Sequence, residues 1–189
     1  ETPGRTLQYN NGTLIGVFTI QQKVNGRYLD AYQGGGPYDF RAVTRNGKTN
    51  SREWVIRHLI DRTYIIQQKI SKRYLDAYTT NNLQVVTRPL NNSDTQRWII
   101  KHVNDKIYTI QHVANNKFLD AKLDSENDFN LFNNNNKNND NQKWIITKIG
   151  DIQDCHRSGW GFVPKGCSAQ TGGDWASHYR DLENKNNCV

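Results

Sequence analysis

The 189-residue sequence has no methionine, even at position 1, and contains only four prolines and three cysteines. Because a natural open reading frame begins with methionine, we expect a processed chain or an excised segment of a longer one. No apolar run approaches the ~20 residues that a membrane-spanning helix needs, and no signal-peptide pattern is present. We therefore predict no membrane insertion.

Charge of one sign never accumulates locally, although the formal net charge is +7 and the pI is about 9.3. The basic residues are spread through the chain rather than collected in a run, which favours a solvated surface over a specific nucleic-acid site. Only 35% of residues are hydrophobic, but 11% are aromatic, and a disordered chain rarely contains so many aromatic residues. These proportions predict a folded core beneath a very polar surface.

The chain contains three copies of one sequence motif, spaced 44 to 46 residues apart. FTIQQKVNGRYLDAY at 18–32 returns as YIIQQKISKRYLDAY at 64–78 and as YTIQHVANNKFLDAK at 108–122. A tryptophan followed by two β-branched residues keeps the same spacing, at Trp54, Trp98 and Trp144. Repeats of this length indicate one supersecondary unit per copy.

Each repeat alternates apolar and polar residues over short stretches that are separated by turn-rich segments, and this pattern predicts about four strands. A propeller blade has a similar length, but propellers need at least four blades. Three four-stranded units around a pseudo-threefold axis form a β-trefoil. We therefore predict an all-β protein in which a β-trefoil spans 12–150 and a short cysteine-containing extension, or the start of a following domain, spans 151–189.

The repeats carry a motif in which Leu-Asp ends one strand and Gln-x-Trp begins a later one. Gln-x-Trp occurs at Gln96–Trp98 and at Gln142–Trp144, whereas Arg52 replaces the glutamine in the first repeat. On these residues the sequence resembles ricin-type β-trefoil lectin domains. The longer sequence pattern TIQQ…RYLDAY…VVTRP…DTQRW also resembles the amino-terminal lectin regions of secreted bacterial virulence toxins. The resemblance implies binding of galactose or N-acetylgalactosamine on cell-surface glycans or glycoproteins, with a toxin domain downstream in a longer parent chain.

The resemblance also implies which residues bind the sugar. The third repeat holds the complete set, which is Asp120, Asn130, Phe132, Asn141 and Gln142. The second repeat holds Asp76, Gln84 and Gln96, with Val86 in place of the aromatic residue. The first holds Asp30 alone. Tyr32 and Tyr78 follow their aspartates by two residues, so each could stack on a sugar beside its own carboxylate.

A structural role for these residues stays open. Asp30, Asp76 and Asp120 recur in every repeat and could bond a turn, and the three tryptophans are expected in the core. Carboxylates that all turned inward and were fully engaged by main-chain amides would argue against a lectin.

The three cysteines all lie in the tail, at Cys155, Cys167 and Cys188. We predict a Cys155–Cys167 disulfide and a secreted protein, because grouped cysteines in a polar segment are typical of oxidising compartments. Ordinary thiols in a cytosolic protein are the alternative. The interleaved His156 and His178 lack the paired short spacings of zinc sites, so we predict no metal and no cofactor.

We also predict that the chain is not an enzyme, because neither a nucleotide fingerprint nor an isolated pair of carboxylates is present. Two other functions stay open. A protein-binding trefoil, such as a protease inhibitor, could use the loop at 34–37, and the positive charge would suit a polyanion such as a glycosaminoglycan.

Overall fold

The computed structural model describes residues 12–34, 40–59, 61–80 and 83–152. Twelve strands lie in these ranges. The first repeat contains β1 Gly16–Gln22, β2 Tyr28–Ala31, β3 Ala42–Arg45 and β4 Glu53–His58. The second contains β5 Tyr64–Gln68, β6 Tyr74–Ala77, β7 Val85–Arg88 and β8 Trp98–Asn104. The third contains β9 Ile107–His112, β10 Phe118–Ala121, β11 Leu131–Asn134 and β12 Trp144–Gly150. We call these groups lobes 1, 2 and 3.

Six of the strands close into a barrel. Each lobe contributes its first and last strand, and all six pairings are antiparallel: β1–β4, β4–β5, β5–β8, β8–β9, β9–β12 and β12–β1. Closure leaves the barrel without a free edge. The predicted all-β trefoil is therefore confirmed.

The two middle strands of each lobe form a hairpin, and the three hairpins have the same register. Asp30 is opposite Val43, Asp76 is opposite Val86 and Asp120 is opposite Phe132. Single bridges link each hairpin to the next in a ring, at Arg41–Val86, Gln84–Phe132 and Asn130–Val43. The threefold axis therefore passes through the ring of hairpins.

The core is built from equivalent residues of the three lobes. Trp54, Trp98 and Trp144 are fully buried. Each indole N–H donates to a main-chain carbonyl of its own lobe, at 3.0–3.1 Å: the acceptors are Leu29, Leu75 and Leu119. The indole thereby ties the last strand of a lobe to its hairpin. The predicted core position of the tryptophans is correct.

A buried amide or imidazole ends the first strand of each lobe. Gln22 donates to the Asn141 carbonyl at 3.0 Å and Gln68 donates to the Ser51 carbonyl at 2.7 Å. His112 occupies the third equivalent position, with its Nε2 2.9 Å from the Thr95 carbonyl. Each side chain therefore ties a short 3-10 turn to the barrel.

This equivalence predicts the effect of substitutions at His112. We expect His112→Gln to change the free energy of unfolding by less than about 1 kcal/mol, because glutamine makes the same bond in the other lobes. His112→Ala should cost about 2–3 kcal/mol, since it leaves a buried carbonyl unpaired and a cavity beside Trp98. Urea unfolding measures both values, and equal losses in the two variants would contradict the assignment.

The first compact unit of the chain ends at Gly150, which is where the sequence places the end of the trefoil. The predicted Cys155–Cys167 pair lies outside the described residues, as do most of the tail and part of the loop at 34–37. The domain assignment and the disulfide therefore stay predictions. Among the described residues, no helix is long and apolar enough to cross a membrane.

Candidate functional site

Each lobe places one aspartate at the same point of its hairpin, one residue before the strand ends. Asp30, Asp76 and Asp120 all lie below the surface, with 4%, 0% and 2% of the residue exposed. The carboxylates thus turn inward, but their partners are mostly side chains. The one main-chain donor among the described residues is the N–H of Ala31, which binds Asp30 at 2.8 Å.

Lobe 3 brings Asp120 and Gln142 together. Oδ2 of Asp120 accepts hydrogen bonds from Gln142 at 3.3 Å and from Asn134 at 3.1 Å. Its Oδ1 is buried and has no donor among the described residues. One oxygen of this carboxylate is therefore fixed and the other lacks a partner.

The remaining predicted residues of lobe 3 lie around this carboxylate with other contacts. Phe132 is opposite Asp120 in the hairpin, is half-buried, and lies 5.1 Å from the Lys122 ammonium. Asn130 accepts a hydrogen bond from Arg41 of lobe 1 at 3.2 Å. Asn141 binds Gln22 through its main-chain carbonyl. Asn130 and Asn141 thus hold neighbouring lobes in place in this structure.

Gln142 has a second role, because it also holds the loop that precedes it. Its Nε2 donates to the Asn135 carbonyl at 2.7 Å, and its Oε1 accepts from the Lys137 N–H at 2.9 Å. In lobe 2 the equivalent Gln96 binds Pro89 and Asn91 in the same way, at 2.8 and 2.9 Å. The Gln-x-Trp glutamine is therefore a loop-holding residue in both lobes.

Lobe 2 assembles a different cluster, made of Asp76, Arg88 and Tyr78. Nη1 of Arg88 binds Oδ1 of Asp76 at 3.1 Å, and the guanidinium carbon lies 4.3 Å from the centre of the Tyr78 ring. Oδ2 of Asp76 is buried without a donor among the described residues. Tyr78 is 42% exposed, so the cluster reaches the surface through its ring and the partly exposed Arg88. Gln84 adjoins the cluster through its main-chain carbonyl, which accepts a hydrogen bond from the Tyr78 N–H at 2.9 Å, and it is bridged to Phe132 on the ring of hairpins.

Lobe 1 satisfies its carboxylate internally. Oδ2 of Asp30 accepts from Arg52 at 3.0 Å and from Ser51 at 3.1 Å. Oδ1 accepts from the Ala31 N–H and lies 3.5 Å from Nε2 of Gln68. Arg52 also binds the carbonyls of Asn46 and Gly47. Both oxygens of Asp30 are therefore occupied, in contrast to the other two lobes.

Tyr32 of lobe 1 lies beneath a cation, as Tyr78 does. The Arg45 guanidinium carbon is 4.6 Å from the centre of its ring, and its hydroxyl donates to Asp128 at 2.6 Å. Among the described residues, no acidic side chain accepts a hydrogen bond from the Tyr78 hydroxyl in the same way. Tyr32 thus contributes to the contact between lobes 1 and 3.

Sequence reasoning missed the arginines that cover the carboxylates. Arg45 and Arg88 end the strands AVTR and VVTR, at equivalent positions of two repeats. Their recurrence was a signal, because each arginine lies two residues beyond the one opposite the aspartate, on the same face of the paired strand, and a long side chain there can reach the carboxylate diagonally. No cluster of acidic, histidine or cysteine side chains in the described ranges could hold a metal ion.

A family model for ricin-type beta-trefoil lectin-like domains matches residues 94–156, which include the third repeat. No curated protein matches the chain. Among solved structures, the Rhizoctonia solani agglutinin shares 18% identity with a TM-score of 0.61, over 72% of this chain and 97% of its own.

Two further structures share the fold. SeviL bound to the asialo-GM1 saccharide is 22% identical, with a TM-score of 0.56, over 71% of this chain and 98% of its own. A mosquitocidal holotoxin is 17% identical, with a TM-score of 0.64, and the match covers 73% of this chain but only 18% of the holotoxin. Together, the family match and the shared fold confirm that this chain resembles the ricin-type β-trefoil lectin domains.

Proposed function

We propose that this domain is a carbohydrate-binding module that binds galactose or N-acetylgalactosamine-type glycans through lobes 2 and 3. The observation that supports it is the pair of buried carboxylate oxygens, on Asp76 and Asp120, that no described residue satisfies. A buried polar atom left without a partner costs about 1–3 kcal/mol. A sugar hydroxyl is a neutral donor of the required size, so a bound glycan would recover this cost.

The groups around the two oxygens also suit a sugar. A monosaccharide presents hydroxyls, which need acceptors and donors, and a C–H face, which packs on an aromatic ring. Lobe 2 offers the Asp76 acceptor, the Arg88 donors and the exposed Tyr78 ring. Lobe 3 offers Asp120, the Asn134 amide and the Phe132 ring. Each lobe thus combines all three elements.

Binding requires a side-chain movement in each lobe. Both free oxygens are buried, and Arg88 or Asn134 occupies the hydrogen-bonding position beside them. Each of these covering side chains is held to its carboxylate by one hydrogen bond and is partly exposed. Rotamer changes of this kind are common when ligands bind. Lobe 1 lacks this option, since Arg52 is itself buried and bonded at several points.

We further propose that the domain is the receptor-targeting part of a secreted bacterial toxin. The support is the resemblance of the repeats to toxin lectin regions and the mosquitocidal holotoxin, in which the shared fold occupies a small part of a longer chain. Two weak sites on one rigid body would gain affinity for a glycan-covered cell surface through avidity. The role assigned to this domain is binding rather than catalysis.

The experiment that tests carbohydrate binding is a glycan array, followed by competition with free galactose and N-acetylgalactosamine. We expect galactose-terminated glycans to bind and either free sugar to compete. An array without bound glycans, or binding that neither sugar reduces, would contradict the proposal. Galactose binding through neutral hydroxyls should respond only slightly to salt, whereas polyanion binding should weaken steeply because counterions are released.

The Tyr78 ring gives a test of lobe 2 that does not disturb the fold. We expect Tyr78→Ala to weaken glycan binding at this lobe roughly three- to tenfold, because the ring supplies about 0.5–1.5 kcal/mol of stacking. Leu90→Ala is the matched control, since Leu90 is also 42% exposed and lies outside the cluster. Titration calorimetry with a galactoside measures both, and equal affinities for Tyr78→Ala and the parent protein would exclude the ring from the site.

A further inference from the structure

A cleft of about 240 Å³ lies beside Gln142 and is lined by residues of lobes 2 and 3 but not by Asp120. Strands β8, β9 and β10 and the loop before Trp144 form its walls. The lining residues are Lys101, Thr109, Phe118, Asn136, Asn138, Asn139, Gln142 and Lys143. The sequence reasoning assigned no function to this surface, except for Gln142.

Charge around the cleft is positive. Lysines 101 and 143 line it, and no acidic residue does. Lys143 pairs with Asp140 at 3.1 Å, but the same carboxylate also pairs with Lys23 at 2.9 Å. One carboxylate therefore faces two ammonium groups, and Lys101 adds a third.

Asp140 is the acidic residue that lies next to these lysines. Hydrogen bonds from Lys23 and Lys143 lower the pKa of Asp140 below its ordinary value, so the carboxylate is ionised at neutral pH. Even with Asp140 fully charged, it offsets only one of the two lysines that line the cleft, so an excess of positive charge remains there. An anionic group would offset that excess.

The other lining groups are those that recognise a sugar ring. Three asparagine amides and a threonine hydroxyl can each donate and accept, and half-buried Phe118 supplies an aromatic wall. Oδ1 of Asn139 is buried and has no donor among the described residues. The cleft thus combines side-chain amides, an aromatic surface and an excess of ammonium groups.

We propose that this cleft is a second kind of saccharide subsite, beside the galactose sites of lobes 2 and 3, which takes a sugar residue bearing a carboxylate or a sulfate. This inference rests on the proposed function only in assuming that the ligand is a saccharide. The cleft itself contains neither Asp76 nor Asp120. Lys101 binds the anionic group, the asparagine amides bind hydroxyls, and the Phe118 ring packs on the C–H face. The limited size of the cleft and its mixture of amides favour one acidic sugar over an extended polyanion, which would contact many basic residues along its length.

The test uses matched glycosides and NMR titration of the isotope-labelled full chain. Methyl glucuronide and methyl glucoside differ by one carboxylate, and methyl galactoside 6-sulfate and methyl galactoside differ by one sulfate. We expect each acidic glycoside to shift the signals of residues around the cleft and to bind more tightly than its neutral counterpart. The tighter of the two acidic glycosides identifies the preferred anion.

Lys101→Gln should weaken binding of the acidic glycoside about five- to tenfold, because the donor to the anionic group becomes neutral and its hydrogen bond weaker. Lys48→Gln removes the same charge from an exposed position in lobe 1 and should leave the affinity unchanged. Equal affinities for acidic and neutral glycosides, when both are read from the signals of residues around the cleft, would overturn the proposal. So would equal effects of the two lysine variants, or signal shifts spread over the whole surface that vanish with moderate salt, as for a polyanion.

A variant that lacks both lobe carboxylates distinguishes failure of the cleft subsite from failure of the proposed galactose sites. The same titrations on the Asp76→Asn/Asp120→Asn protein should abolish the shifts caused by methyl galactoside and preserve those caused by the acidic glycoside at the cleft. Loss of both would place the acidic sugar at the lobe carboxylates and overturn the second subsite. Retained binding of methyl galactoside would instead contradict the sites of lobes 2 and 3.

Discussion

Substituting both Asp76 and Asp120 with asparagine is expected to reduce affinity for immobilised galactose-terminated glycans at least about a hundredfold. Each substitution removes a charged acceptor, and a hydrogen bond to a charged group contributes about 1.5–3 kcal/mol, or roughly tenfold or more per site. Losing both sites also removes the avidity that two sites on one rigid domain provide. Each single variant should therefore retain weak binding through the other lobe.

The control for this experiment is Asp105→Asn, which makes the same chemical change at an exposed turn between β8 and β9. Asparagine accepts the left-handed backbone of this position, where φ is 45°. Surface plasmon resonance on a glycan surface measures affinity, and thermal unfolding checks that each variant is folded. A folded double variant that binds as tightly as Asp105→Asn would refute the assignment of both carboxylates.

Substituting Arg52 with leucine is expected to lower the free energy of unfolding by about 3–5 kcal/mol, because it leaves the buried Asp30 carboxylate without its cationic partner. Asp30 is 4% exposed and Arg52 is 9% exposed, so water cannot readily replace the lost ion pair. The variant also releases the Asn46 and Gly47 carbonyls that the guanidinium holds. Chemical denaturation with urea or guanidinium chloride measures the loss.

Arg52→Gln is the matched variant, since glutamine is the residue of the other two repeats. In lobe 3 the equivalent Gln142 donates to both Asp120 and the preceding loop. Glutamine at position 52 can make the same bonds, so we expect about half the loss of the leucine variant or less. Similar losses in Arg52→Gln and Arg52→Leu would show that packing of the arginine side chain, rather than compensation of Asp30, stabilises lobe 1.

The sequence was sufficient to predict the fold because the repeats specify it redundantly. Trp54, Trp98 and Trp144 mark the same strand three times, and each copy of the Leu-Asp phrase ends the same hairpin strand. The strand pattern of one repeat therefore occurs again in the two others, which makes the prediction more secure. Twelve short strands and three repeats leave few other closed all-β arrangements.

The chemistry of the lobes was less predictable, since it depends on contacts between residues distant in sequence. Gln142 donates to Asp120, whereas the Asp76 carboxylate is bound by Arg88 and the equivalent Gln96 bonds Pro89 and Asn91, although the two repeats are similar in sequence. Arg88 reaches Asp76 across the hairpin, and Arg52 reaches Asp30 from a separate turn. The burial of all three aspartates follows from packing around the threefold axis, which a single repeat does not reveal.

The ring of hairpins has a consequence for how such a domain could have arisen. Bridges at Arg41–Val86, Gln84–Phe132 and Asn130–Val43 each join two different repeats, and half of the barrel pairings do the same. One repeat expressed alone would keep the pairing between its first and last strands but leave the other edge of each strand unpaired. Such a fragment could satisfy its backbone only by assembling with two further copies, so an ancestral single-repeat protein would have been an obligate homotrimer before gene duplication fused its subunits.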